Sequence, residues 1–188
     1  MVKKKENSKL GKQDWINLGL KVLSESGVAA VRVEPLAKLL EVTKGSFYWH
    51  FKNRAELLDA LIDAWIANDT DGIIEQVERE KGDASAKLLR LFELAVQDDG
   101  QVENAIRAWA RNEPQVAVVL KDVDQRRFDY TKNLFLELDF TPFEATTRAR
   151  MVYYSLVGEF TLGARTNQEE RLAEIRLQHK ILTHRDLD

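Results

Sequence analysis

With 188 residues, 44% of them apolar and 31% charged, and only 9 Gly and 3 Pro, the chain has the composition of a folded soluble protein, richer in helix than in turn-rich sheet. It has no cysteine, which rules out a disulfide framework, a thiolate nucleophile and a cysteine zinc site. The net charge of −3 is unevenly spread: residues 1–54 hold 11 Lys and Arg against 5 Asp and Glu, and the rest hold 17 against 26, the balance expected of a basic head that meets a polyanion and an acidic body that avoids it.

In chain order, the lysines Lys3, Lys4 and Lys5 open a charged segment that supplies no signal-peptide core, and no later stretch is apolar enough to span a membrane, so a cytoplasmic protein is expected. Trp15, Leu18, Gly19, Val22 and Leu23 form one face of a first helix that stops at Gly27 in a left-handed cap. Pro35 is tolerated only in a first turn, which starts the second helix near Arg32, with Val33, Leu36, Ala37 and Leu40 inside. Thr43 is placed to cap a third short helix, Lys44 to His50, and Asn53 with Glu56 forms a capping box for a long fourth helix reaching Val77. Further helices are expected over 85–97, 102–111, 114–138, 142–166 and 167–182, with breaks at Gly82, Gly100, Pro114 and Pro142. The fold class is therefore all-α, with nine helices: a head over 1–54 and a body over 55–188.

Two short helices joined by a turn between Val33 and Phe51, the second carrying polar, basic and aromatic residues, make a helix-turn-helix whose second helix enters the major groove. The run Val42-Thr43-Lys44-Gly45-Ser46-Phe47-Tyr48-Trp49-His50-Phe51, followed by Lys52, Asn53 and Arg54, resembles the recognition-helix signature of the TetR family of bacterial regulators. The resemblance extends over roughly residues 14 to 62. Two positions depart from it: Arg32 stands where the family often has a capping threonine, and Glu41 where it often has a turn glycine.

That resemblance implies that Phe47 and Phe51 are buried in the head, that Tyr48 and His50 reach phosphates, and that Gly45 lets the backbone approach the duplex. Thr43, Lys44, Ser46 and Trp49 are then the candidates for base-edge or sugar contacts, lysine to guanine being the most discriminating pairing. Arg32 and Lys52, with the N-terminal lysines, supply backbone charge.

For the body, the resemblance implies an effector cavity and a homodimer built by the last two helices. Trp65, Phe92, Trp109, Phe128, Tyr130 and Tyr153 are candidate cavity aromatics, and Arg107, Arg111 and Gln125 candidate polar contacts for a small-molecule effector. The broad apolar stripe of the eighth helix (Val152, Leu156, Phe160) and the 3,4,3 spacing of Leu172, Ile175, His179 and Leu182 in the ninth point to the dimer interface, where Gly158 and Gly163 permit close approach.

The expected activity is a dimeric repressor that holds a palindromic DNA operator and is released by a ligand. The same fold also fits a DNA-binding protein answering to a protein partner or to no ligand. An all-α enzyme is disfavoured: there is no nucleophile–base pattern and no phosphate-cradling glycine loop. No cofactor and no metal are expected, because His50, His179 and His184 lack metal-ligand spacing.

Overall fold

The computed structural model describes residues 10–163 and 167–185; the three N-terminal lysines lie outside them. The described residues form helices and connecting turns, without strands: α1 Lys12–Ser26, α2 Val33–Leu39, α3 Lys44–Phe47, α4 Arg54–Ile66, α5 Gly72–Glu78, α6 Ala84–Ala95, α7 Gln101–Ala110, α8 Pro114–Glu137, α9 Pro142–Leu162 and α10 Gln168–Thr183. A π-helical turn, Ala67–Asp71, joins α4 to α5 without a break, so the α-helical segments make nine runs among the described residues. None is long and apolar enough to cross a membrane.

The chain divides into two units, Met1–Trp65 and Ile66–Asp188. The boundary falls later than the expected 54/55 because α4 is amphipathic toward the first unit: Leu57, Leu61 and Trp65 are buried there with Trp15, Leu23, Leu36, Phe47 and Phe51. Trp15 meets Phe47 edge-on at 5.2 Å, and Phe47 stacks on Phe51 at 5.3 Å, so the aromatic pair of the helix-turn-helix is the centre of this core. A methyl group at Gly19 would stand 2.8 Å from a Leu61 methyl, which is how closely α1 approaches α4.

The turn after α2 is a Schellman motif: Val42 N–H donates to Ala37 C=O (3.0 Å) and Glu41 N–H to Lys38 C=O (3.2 Å). Its left-handed position is Glu41, at φ 57°, where a side chain is strained. The strain costs roughly 1–2 kcal/mol for a non-glycine residue, and glycine's greater unfolded-state freedom offsets about half of it. Glu41→Gly should therefore raise stability by about 0.5–1 kcal/mol, read from urea unfolding of the full chain; an unchanged or lower midpoint would show that the turn holds no strain.

The cap of α4 is shifted by one residue from the expected box. Asn53 Oδ1 accepts from Glu56 N–H (3.0 Å), but the Glu56 carboxylate accepts from Lys52 N–H (2.7 Å) instead of Asn53. Arg54 adds a tie that the sequence did not announce, donating to Val31 C=O and Val28 C=O at 2.6 Å each and holding the loop before α2 against the start of α4.

In the second unit α8 packs on α9 and α6 on α10, around Leu88, Phe92, Leu134, Phe135, Ala145, Ala149, Ile175 and Leu182. Pro114 and Pro142 each stand in a helical first turn, and Thr141 with Glu144 forms a full capping box. The end of α8 is a second Schellman motif, with Asp139 at φ 59° and Phe140 turned back against Phe135 (5.9 Å). Arg148 is buried in this core: it lies 4.1 Å over the Phe140 ring, and its two terminal nitrogens donate to Leu182 C=O and His184 C=O at the end of α10, while its Nε has no hydrogen-bond partner.

Candidate nucleic-acid interface

In the first unit, burial of Phe47 and Phe51 determines what α3 can offer to a partner. With those two rings inside, Thr43, Lys44, Gly45, Tyr48, Trp49 and Lys52 are exposed, and Ser46 and His50 half-exposed. Trp49 is 87% exposed, so it is not part of an aromatic cluster closing the core, while Tyr48 rests edge-on against Phe47 (5.3 Å) with more than half its surface free. Arg32, the extended residue before α2, is also exposed and makes no side-chain cap.

The expected helix from Lys44 to His50 is shorter in the structure. After Phe47 the chain tightens into turns bonded three residues back, His50 N–H to Phe47 C=O (2.9 Å) among them. Thr43 occupies the cap position, but its hydroxyl makes no capping bond, a correction to its expected role; it is free for another acceptor or donor. A methyl group at Gly45 would meet only the Thr43 hydroxyl, at 3.6 Å. The protein itself thus has room for a side chain there.

One charge at this surface is not free. Lys44 Nζ donates to Glu34 Oε1 of α2 at 2.7 Å, an ion pair that lowers the Glu34 carboxyl below its usual range and raises the Lys44 amine, the hydrogen bond between them being the main cause of both. Glu34 was not among the expected site residues. The hint available in the sequence was an acidic residue in the first turn of α2, ten positions before the lysine.

In the second unit one of the expected polar contacts, Arg107, belongs to a largely buried ionic chain. Glu103 is 3% exposed and lies between two guanidinium groups, at 2.6 Å from Arg107 and 2.9 Å from Arg127. Arg107 also pairs with Asp124 through two nitrogens (2.7 and 3.1 Å), and Asp124 accepts from Tyr153 Oη at 2.6 Å. Burial works against the Arg107 charge, but the Asp124 hydrogen bond and the Glu103 charge raise its pKa overall; burial and Asp124 together push Tyr153 up. Arg127 further donates to the Thr70 hydroxyl (2.8 Å) and the Asp69 carbonyl (3.1 Å), clamping the π-helical turn.

The Asp69 carboxyl is pushed up to about 6, chiefly by burial and then by the Asp98 charge, with Glu103 adding and Arg127 opposing. Its folded pKa lies above the unfolded value, so the folded state binds more protons between about pH 4 and 6, and stability falls as pH rises through that window. Asp69→Asn should remove that slope and stabilise the chain at pH 7 by on the order of 1 kcal/mol, allowing for solvent screening of a partly exposed group. Parallel pH–stability curves for parent and variant would contradict it.

The other expected effector contacts are dispersed. Trp65 is buried at the end of α4, and Phe92 is buried in the core of the second unit, edge-on to His179 at 6.1 Å. Phe128 and Tyr130 pack partly buried against that core, Trp109 is half-buried, and Arg111 is exposed. Gln125 and Tyr130 share an open groove of about 540 Å³ with Ile74, Asp129 and Asn133.

The expected dimer residues divide between the interior and partly exposed positions. Phe160, Ile175 and Leu182 are buried within the chain, Val152 and Leu172 pack on the same core, Leu156 is half-buried, and His179 Nε2 lies 2.8 Å from Ser85 C=O. The apolar side chains left exposed are Phe143, Met151, Tyr154 and Leu162 on α9 and Leu177 and Ile181 on α10.

Residues 16–61 match the family described as bacterial regulatory proteins, tetR family. Over 59 residues the chain is 41% identical to the tetracycline repressor protein class G of Vibrio anguillarum, covering 31% of this chain and 28% of that protein. Over 103 residues it is 33% identical to the transcriptional regulator AcuR of Cereibacter sphaeroides, covering 54% and 45%. The chain thus spans less than half the length of either relative. A solved transcriptional regulator from Rhodococcus sp. Rha1 superposes with a TM-score of 0.70 at 19% identity, covering 92% of this chain and 96% of that one, a likeness of fold.

Proposed function

We propose that the chain, whose residues 16–61 match the tetR family of bacterial regulatory proteins, is a cytoplasmic transcriptional repressor that binds a palindromic operator as a homodimer and is released by a small-molecule effector. The observation that carries the reading is the surface of α3 and the turns after it, where two buried phenylalanines leave Thr43, Lys44, Tyr48 and Trp49 exposed together. Tyr48 and His50 bind phosphates, Lys44 and Ser46 reach base edges, and Arg32 and Lys52 add backbone charge. Two copies present their recognition helices about one DNA turn apart, roughly 34–36 Å.

The exposed stripes of α9 and α10 serve the dimer. An effector acts through its differential affinity for the two states of the body. The groove beside Gln125 and Tyr130 is also lined by Asp122, Asp129 and Arg126, and Arg126 is already paired with Asp71, so the groove suits a neutral polar molecule better than an anion. The body performs no chemistry in this reading.

The test is selection from a pool of random duplex DNA by the purified full chain, beside a Tyr48→Ala, Lys44→Ala double variant. A palindrome enriched by the parent alone supports the reading. No enrichment by the parent at low salt, with the protein folded and dimeric, sinks it in its effector-released form.

A further inference from the structure

The ion pair between Lys44 and Glu34 is poorly explained as a stabilising contact. Both side chains are more than half exposed, and exposed pairs contribute little to folding. The core beneath them is complete without it, since Leu36 and Phe47 of the same two helices are fully buried. Arg32 is the other charge acting on Glu34, and it stands at the start of the same helix.

We propose that Glu34 sets the sequence selectivity of this surface by holding Lys44 as an internal stand-in for a DNA phosphate. The inference rests on the DNA-binding reading above. A lysine already paired at 2.7 Å gains little by exchanging one oxyanion for another. Binding through backbone charge alone is therefore penalised. The ammonium has three donors, however, so it can keep the Glu34 contact and still donate to guanine O6 or N7. The carboxylate thus weakens the wrong complexes more than the right one.

The experiment compares parent, Glu34→Gln, Lys44→Ala and the double variant, as full chains, on the operator selected from the random pool and on a scrambled duplex of equal length. Glu34→Gln should bind the scrambled duplex about tenfold more tightly at low salt, with a salt slope steeper by about one phosphate equivalent, and the operator by less than about threefold. In the Lys44→Ala background the same substitution should change scrambled-duplex affinity by less than about twofold, because the effect passes through the lysine. Equal gains on both duplexes, no gain on either, or a tenfold gain that survives the loss of Lys44 would each overturn the inference while leaving DNA binding intact. A parent that binds neither duplex overturns the DNA-binding reading and this inference with it, and one that binds both alike overturns the operator reading and this inference while leaving DNA binding itself in place.

Discussion

Glu103→Gln should cost about 3 kcal/mol of stability, the loss typical when one partner of a buried ion pair is removed. The side chain is almost fully buried and is the one carboxylate that Arg107 and Arg127 share. Glutamine keeps the volume and one acceptor oxygen but removes the charge, leaving two guanidinium groups close together in a medium that screens poorly. Arg107 retains Asp124, and Arg127 retains its bonds to the Thr70 hydroxyl and the Asp69 carbonyl. Against a total stability of about 5–15 kcal/mol this is a large fraction, visible as a displaced urea midpoint with an unchanged slope. The exposed pair of Arg79 with Glu75 provides the contrast: Arg79→Ala should shift stability by no more than about 0.5 kcal/mol. If the two substitutions cost the same, the buried chain of charges is not what holds α7, α8 and the π-helical turn together.

Much of this was legible where a residue's chemistry acts locally. Pro114, Pro142, Thr141 with Glu144, and Asn53 mark helix starts because rings and short polar side chains act on amides within a few residues of themselves. Phe47 and Phe51, one helical turn apart in a polar segment, announce a buried face and so define what is left outside. What stayed hidden depends on neighbours distant in sequence. Arg107 reads in the sequence as a contact for an effector, and only the fold brings it and Arg127 onto the Glu103 carboxylate. The turn at Ala67–Asp71 has no breaker and reads as plain helix; Arg127 is what meets its altered register. Glu41 and Asp139 take left-handed positions that composition assigns to glycine, because the backbone bonds closing each Schellman turn outweigh the strain.

Met151→Glu combined with Ile181→Glu should turn the proposed dimer into a folded monomer and weaken operator binding by on the order of 10²- to 10⁴-fold, the loss expected when two linked half-site contacts become one. The periodicity of α9 shows a helix with too much apolar surface for one core, and it does not say which part faces inward. The structure divides it: Ala145, Ala149, Tyr153 and Phe160 go inside, while Phe143, Met151, Tyr154 and Leu162 follow spacings of eight, three and eight along the opposite side. Leu177 and Ile181, one turn apart, extend the exposed surface on α10. Apolar stripes of this size are unusual on a surface meant for water, and Gly158, where an added methyl group would meet nothing within 4 Å, leaves the middle of the α9 stripe low enough for a partner helix to approach. Met151 and Ile181 are each more than half exposed, so charges there should cost the folded chain little, and the unfolding midpoint measured at low concentration should stay near that of the dissociated parent. Ile175→Glu should behave in the opposite way, burying a charge in the core and unfolding the second unit before any question of assembly arises. Light scattering with operator titration separates the two cases: a Met151→Glu, Ile181→Glu protein that remains dimeric and binds at full strength would move the interface off this face.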